Sequence, residues 1–202
     1  MKKLTAYKIA KFRKNLEFIY NFAQDQDLEN GKAWYKDAHA ICHDISEKYN
    51  VSTLVAAKVI SALSPRNKWE RNIFDAYQVF DAVKAGKGPD DIKVCTFTGN
   101  KLKAFAIVEG TKDITTKSLK TYNFWHNIAY LCSESVTVDI WHLRACLGDK
   151  LSIDSASIGK TAYGQIKDLT LRMAEKANMT GFEFQAIIWL AAQRYFAQND
   201  KI

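Results

Sequence analysis

The sequence predicts an all-α protein, and two observations support this fold class. Apolar residues recur three and four positions apart along almost the whole chain, which is the spacing that places them on one face of a helix. The 202 residues include only two prolines and nine glycines, so few positions would interrupt such helices. We therefore expect eight or nine helices with little or no sheet. VCTFTG, at residues 94–99, is the one segment whose composition suits a strand.

The first half of the chain predicts four helices. Their apolar stripes cover residues 4–23, 34–49, 52–63 and 69–83. Ser52 is the expected N-cap of the third helix, because a serine hydroxyl can accept a hydrogen bond from an N–H group of the first turn. Pro65 follows the end of that helix, where a proline stops helical hydrogen bonding.

The second half predicts five more helices, some with clear end signals. Their stripes cover residues 100–109, 124–131, 139–147, 158–173 and 184–195. Gly110 and Gly148 are placed as C-terminal stops. Thr180 and Glu183 form the pattern of a capping box ahead of the last helix. No linker divides these elements, so we expect a single domain over residues 1–202.

The charge of the chain favours a polyanionic partner. The formal net charge is +7, and the first fourteen residues contain six cations and no acid. These cations are Lys2, Lys3, Lys8, Lys11, Arg13 and Lys14. Neutralisation of phosphates supplies most of the non-specific affinity of proteins for nucleic acids, so DNA is the expected partner. The alternative is a basic face whose only role is solubility.

The cysteines and histidines predict neither a cofactor nor a metal. The four cysteines are scattered without a CxxC spacing, which indicates reduced thiols. His39 and His43 lie one helical turn apart, but no glutamate completes an HExxH motif, so packing or surface positions are expected. The basic N-terminus lacks the apolar core of a signal peptide, and no apolar run reaches the roughly 20 residues that span a bilayer. We expect a cytoplasmic protein without a membrane partner.

Three segments carry the most specific pattern of the sequence. They are VISALSPRNKWERNIFDAYQVF at 59–80, GNKLKAFAIVEG at 99–110 and TKSLKTYNFWHNIAYLCSESVTVDIWHLRACLG at 116–148. In this order they resemble the helix–hairpin–helix (HhH-GPD) superfamily of DNA glycosylases. In the last segment Val138, Asp139, His142 and Arg144 echo its V-D-x-H-x-x-R pattern, with the histidine one residue later than in the family. The resemblance covers about residues 52–195, with the helices of residues 1–50 packing on that region. It implies a two-lobed helical fold and a short, phage-type member, located in the host cytoplasm if phage-encoded.

The resemblance also implies site residues. Asp139 matches the catalytic aspartate of the family, although an acid at a helix start is also a common N-cap. Lys120 lies nineteen residues earlier, close to where bifunctional members carry a nucleophilic lysine; a phosphate contact or an exposed helix lysine is the alternative. His142 would face Asp139 across one helical turn and orient it.

A flipped base needs a pocket with aromatic walls and a few polar groups, because its reacting atoms are unreachable in a duplex. The candidates for binding base or DNA are Arg66, Asn67, Lys68, Trp69, Asn72, Lys117, Tyr122, Trp125 and Arg144.

The sequence departs from the family at the hairpin, where SLKT replaces Gly-x-Gly. Those glycines let backbone N–H groups approach a DNA phosphate. The leading prediction is a monomeric, base-flipping DNA N-glycosylase, with lyase activity open, that acts on a modified or damaged base in duplex DNA. Two alternatives remain: a phage enzyme that transfers a group to a 5-substituted pyrimidine of DNA, and a DNA-binding protein of the same fold that has lost catalysis.

Overall fold

The computed structural model describes residues 3–149 and 158–199, and within these ranges the chain forms nine α-helices and one short 3-10 turn at Pro89–Asp91. The helices are α1 Ala6–Phe22, α2 Asp25–Tyr49, α3 Thr53–Leu63, α4 Trp69–Lys84, α5 Thr98–Val108, α6 Leu119–Tyr130, α7 Ile140–Leu147, α8 Lys160–Lys176 and α9 Gly181–Gln198. No strand occurs in these ranges, and residues 94–97 form a loop ahead of α5. The all-α fold class is confirmed.

The predicted end signals are confirmed where they fall on described residues. Ser52 accepts a hydrogen bond from the N–H of Val55 and caps α3. Thr180 and Glu183 form the capping box of α9. Gly110 follows α5 with φ +73°, and Gly148 caps α7 with φ +71°. These positive φ values belong to the left-handed region that glycine adopts without strain.

Helix α2 is longer than its apolar stripe predicts. It begins at Asp25 and runs for 25 residues, whereas the stripe begins at Trp34. The backbone N–H of Gln24 donates to the carboxylate of Asp27 at 2.9 Å, so polar residues define the start. Gly31 lies inside this extension, and a Cβ there would come within 2.9 Å of the backbone of Ile187 in α9. The glycine therefore permits a close helix–helix approach.

The chain divides into two compact units. Unit 1 contains Met1–Lys36 and Cys132–Ile202, and in its described part α9 packs against α1, α7 and α8 while α1 packs against α7. Its core includes Phe12, Leu16, Ile166, Phe184 and Ile187, each at most 3% exposed. The expected single domain over residues 1–202 stays a prediction.

Unit 2 is the continuous segment Asp37–Leu131. Helix α3 is its centre and packs against α4, α5 and α6. Seven of the eleven residues of α3 are buried, which agrees with its nearly continuous apolar sequence. The hydroxyl of Ser61 donates to the carbonyl of Thr121 at 2.7 Å and ties α3 to α6.

Candidate functional site

Asp139 is the N-cap of α7 and follows a buried, extended segment at residues 135–138. Its Oδ1 accepts a hydrogen bond from the backbone N–H of His142 at 2.9 Å, and the residue is half-buried. The positive end of the helix dipole favours a negative charge at this position. The expected capping role of Asp139 is thus present.

A tyrosine fixes the segment that leads to Asp139. The hydroxyl of Tyr163 in α8 donates to the carbonyl of Val136 at 2.8 Å and accepts from the N–H of Val138 at 3.1 Å. Thr137, which lies between these two valines, is also held, because its Oγ1 lies 3.2 Å from the hydroxyl of Tyr35. Both tyrosines are buried, so the backbone directly before the carboxylate is rigidly positioned.

The loop that precedes this segment is packed closely against the start of α9. A Cβ at Gly181 would lie 2.7 Å from the carbonyl oxygen of Ser133 and would also collide with Leu171. A glycine is therefore required at the first position of α9. This contact, together with the Tyr163 hydrogen bonds, holds residues 133–138 from two sides.

His142 supports the site from within the core. Its exposed fraction is 0%, and its Nε2 lies 2.9 Å from Thr170 Oγ1. Because the Thr170 hydroxyl donates to the carbonyl of Ile166, the Nε2 atom of His142 is assigned as the donor of their hydrogen bond. Burial lowers the pKa of His142 to about 4. The ring faces α8, so this position favours orienting α7 over contacting a substrate.

Arg144 lies two residues after His142 in α7. Its guanidinium stacks over the ring of Trp141, with Cζ 4.5 Å from the ring centroid. Both side chains are half-buried. The pair presents a cation held by an aromatic face on the same short helix that Asp139 begins.

In unit 2, a buried carboxylate organises the turn between α3 and α4. Asp75 is 0% exposed and accepts hydrogen bonds from Asn67 Nδ2 at 2.9 Å and Arg71 Nε at 2.8 Å. It also accepts from the backbone N–H of Cys95 at 2.7 Å. A second link joins the same two segments, because Thr96 Oγ1 donates to the carbonyl of Pro65 at 2.9 Å. Asp75 thus fixes the turn that contains Arg66, Asn67 and Lys68.

Several predicted binding residues lie on this turn. Arg66 has φ +57°, a left-handed conformation that is uncommon for arginine, and its guanidinium lies over the exposed ring of Phe97 at 5.3 Å. Lys68 is exposed and Trp69 is half-buried at the start of α4. Asn72 is 1% exposed and donates to the carbonyl of Ile60, which places it in the core of the unit.

The loop between α5 and α6 stands where the resemblance places the hairpin. Its first part is fixed by Asp113, whose carboxylate forms a 2.8 Å salt bridge with Lys58. Lys58 also lines an open depression of about 380 Å³ beside the loop. Lys117 is exposed at the end of the loop, and Lys120 is half-buried in the first turn of α6. Two cations near a helix start suit a phosphate contact.

The predicted aromatic residues of α6 form one cluster. Tyr122 and Trp125 pack edge to face at 5.6 Å, and both contact His126. Trp125 is 6% exposed with the ammonium of Lys58 4.9 Å above its ring, whereas Tyr122 is half-buried. Of the two, Tyr122 is therefore the more accessible to a ligand.

The predicted residues fall into three groups. Asp139, His142 and Arg144 lie on α7 in unit 1. In unit 2, the turn before α4 and the start of α6 carry the other two groups. Sequence reasoning did not single out Tyr163 or Asp75, because Tyr163 lies 25 residues from Val138 in sequence and Asp75 reads as one polar position of an amphipathic helix.

The described ranges contain no metal-binding cluster of histidine, cysteine or acidic residues. His39 Nδ1 lies 2.8 Å from the carbonyl of Ile128, and His43 pairs with Glu47 at 3.4 Å, so the two histidines face different partners. Among the same described residues, no helix is long and apolar enough to cross a membrane.

Comparison with known proteins identifies a family. The model of the family of unknown function DUF7178 matches residues 1–196, and the chain therefore belongs to that family. No curated protein and no solved structure matches the chain.

Proposed function

We propose that this member of the DUF7178 family is a DNA-binding enzyme that flips a modified or damaged base out of the duplex and cleaves its N-glycosidic bond. One observation carries the proposal: the carboxylate of a half-buried aspartate caps a helix start, directly after a backbone segment that the buried Tyr163 holds in place. This is the support that a group needs when its charge must stabilise a transition state in a fixed position.

The proposed reaction is a hydrolysis. As the glycosidic bond breaks, its electron pair leaves with the base and positive charge develops on the sugar. The carboxylate of Asp139 stabilises that charge. A water molecule then attacks C1′ and its proton passes to the departed base, so the products are the neutral free base and an abasic sugar. Buried His142 supports α7 and stays neutral during this sequence, because burial holds its pKa near 4.

Contacts with the DNA backbone are assigned to cationic groups outside α7. Arg66 and Lys68 on the turn before α4, and Lys117 and Lys120 near the start of α6, are proposed phosphate contacts. The turn has its shape before DNA binds, because Asp75 fixes it from within. Tyr122 and Trp69, which also lie in unit 2, are the proposed aromatic contacts with DNA.

The deciding experiment compares the wild-type protein with Asp139→Asn on a panel of duplexes, each carrying one modified base. Asparagine is as good an N-cap as aspartate, so this variant keeps the fold and loses only the charge. We expect base release to fall at least a hundredfold. Asp139→Ser, another good cap without a carboxylate, should behave in the same way. Equal release by all three proteins would remove Asp139 from the mechanism.

Mass spectrometry of the same reactions, after digestion of the DNA to nucleosides, separates the alternatives. Free base in the supernatant supports excision, whereas a heavier nucleoside supports group transfer to a 5-substituted pyrimidine. Tight, salt-dependent binding without product from any base would establish a DNA-binding protein, which the loss of glycines in SLKT favours. Lyase activity by Lys120 would appear as a borohydride-trapped protein–DNA adduct that Lys120→Gln abolishes.

A further inference from the structure

The exposed side of α1 is a basic surface. Lys8, Lys11 and Lys14 are spaced by three residues and are exposed, and we call these three the α1 basic face. No salt bridge joins any of them to an acidic group in residues 3–149 or 158–199. Tyr7 lies one helical turn before Lys11 on the same surface and is 79% exposed.

The α1 basic face is rigid. At its beginning, the N–H of Leu4 donates to Gln165 Oε1 at 2.7 Å, and Gln165 Nε2 donates to the carbonyl of Leu4 at 3.0 Å. Further along, Asn15 Nδ2 donates to the carbonyl of Cys146 at 2.8 Å. The helix is thus fixed to α8 and to α7, the helix that Asp139 begins. The backbone that carries these lysines therefore needs no ordering when a ligand binds.

The charge at the start of α1 lowers the stability of the helix when no ligand is bound. Thr5 is the N-cap of α1, and the first turn contains no acid but carries Lys8 at its third position. A cation there opposes the helix dipole and lowers stability. An anion bound at this end would satisfy both the lysines and the dipole. Two features therefore favour an anionic ligand at this surface: the three exposed lysines and the positive end of the helix dipole.

We propose that the α1 basic face binds the phosphate backbone of duplex DNA, as a second contact surface on the unit that carries Asp139. The three lysines span about 9 Å along the helix axis, at 1.5 Å per residue. Duplex DNA carries one charge per roughly 3.4 Å on each strand, so several phosphates lie within that reach. The exposed hydroxyl of Tyr7 suits a further phosphate contact. This inference rests on the proposed function for its choice of DNA as the polyanion.

The test measures binding of the full chain to an unmodified 20-base-pair duplex by fluorescence anisotropy at several salt concentrations. The variant Lys8→Gln/Lys11→Gln/Lys14→Gln should bind about tenfold or more weakly. The slope of log K against log salt should become shallower by about 2 to 3, because each lost phosphate contact contributes about 0.9. The matched control is Lys32→Gln/Lys160→Gln/Lys176→Gln, which removes the same charge from exposed positions of α2 and α8 in the same unit.

Each outcome decides the inference separately from the proposed function. Weaker binding of the α1 variant, with the control like wild type, supports the inference even if no duplex in the base-release assay yields product. Equal losses in variant and control, or no loss in either, overturn it, while base release by the wild type would still support the enzyme. A wild-type protein that binds phosphatidylserine vesicles and no DNA overturns the inference in favour of a membrane surface.

Discussion

The imidazole of His142 is enclosed by the core of unit 1, and this burial makes stability depend on pH. The pKa of the ring is lowered from 6.5 to about 4 in the folded chain. As the pH falls below 6.5, the imidazole of His142 binds a proton in the unfolded chain but stays neutral in the folded chain. The contribution of this residue to the free energy of unfolding is therefore complete above pH 6.5 and is lost progressively towards pH 4. The full loss is about 3 kcal/mol, at 1.36 kcal/mol per pKa unit.

The matched variant is His142→Gln, which keeps an N–H donor near Thr170 and has no titrating group. Urea melts at pH 7.5 and pH 4.5 should show a smaller decrease in the free energy of unfolding for the variant than for wild type. An identical pH dependence in the two proteins would mean that the pKa of His142 is the same in the folded and the unfolded chain.

At the level of single residues, the sequence predicts what is local. Asp139 and Ser52 were predicted as N-caps because an N-cap and its first turn are adjacent in the chain, and both make the predicted hydrogen bond. The position of Tyr163 against Val136 and Val138 could not be predicted, since it depends on how α8 packs on a segment 25 residues away. The catalytic role of Asp139 stays a prediction, because it rests on the resemblance.

Among the helices, α1 and α9 both begin with an N-cap threonine, a small residue and an aromatic residue, but they carry opposite charges at the third helical position. In α9, TGFE forms a capping box in which Glu183 accepts from the N–H of Thr180 at 3.0 Å. In α1, TAYK places Lys8 where Glu183 stands in α9, and only the Thr5 half of the box is present. Lys8→Glu should complete the box and raise the free energy of unfolding by about 0.5–1 kcal/mol. The same change should weaken DNA binding.

The control for this prediction is Lys11→Glu, which changes the charge equally but lies outside the first turn. It should weaken DNA binding to a similar extent, with a stability change below about 0.5 kcal/mol. Thermal melts and anisotropy titrations on the same samples measure both quantities. A Lys8→Glu protein that is less stable than wild type would contradict the capping argument.

The turn before α4 depends on one carboxylate. Asp75→Ala leaves Asn67 and the N–H of Cys95 without their shared acceptor, and we expect a loss of about 2–4 kcal/mol in the free energy of unfolding. Asp81→Ala on the same helix is the control, since Asp81 is 61% exposed and its partner Tyr49 can turn to water. The control should cost less than about 1 kcal/mol. Equal losses in urea melts would show that Asp75 does not hold the turn.

Helix existence was predicted well from apolar periodicity, but helix length was not. Periodicity detects only the part of a helix with an alternation of buried and exposed positions, so the start of α2 at Asp25 was missed. Gly31 illustrates the reason. A glycine is accommodated in this part of the helix because α9 approaches its backbone closely, and no local pattern reveals such a tertiary contact. The loop nature of residues 94–97 was ambiguous for the same reason, since Cys95 and Thr96 bond to Asp75 and Pro65.

At the scale of the whole molecule, the division of the chain is not visible in the sequence. Unit 2 begins within α2, between Lys36 and Asp37, where neither a linker nor a change of composition marks a boundary. Unit 1 is assembled from both ends of the chain, and its two parts meet through contacts such as that of Asn15 with Cys146. Such a division depends on which residues touch, and so it follows from packing and not from order along the chain.

The continuity of unit 2 leads to a prediction about its folding. A fragment of residues 37–131, about 95 residues, contains α3 to α6 complete and the second half of α2. Hydrogen bonds within it include those of His39 with Ile128 and of Ser61 with Thr121. Because a chain of this length can bury its own core, the fragment should be helical by circular dichroism and unfold in one cooperative thermal transition. The same fragment ending at residue 118 lacks α6 and exposes α3, so it should show no cooperative transition. A broad, non-cooperative melt of the 37–131 fragment would mean that its core is completed only by the rest of the chain.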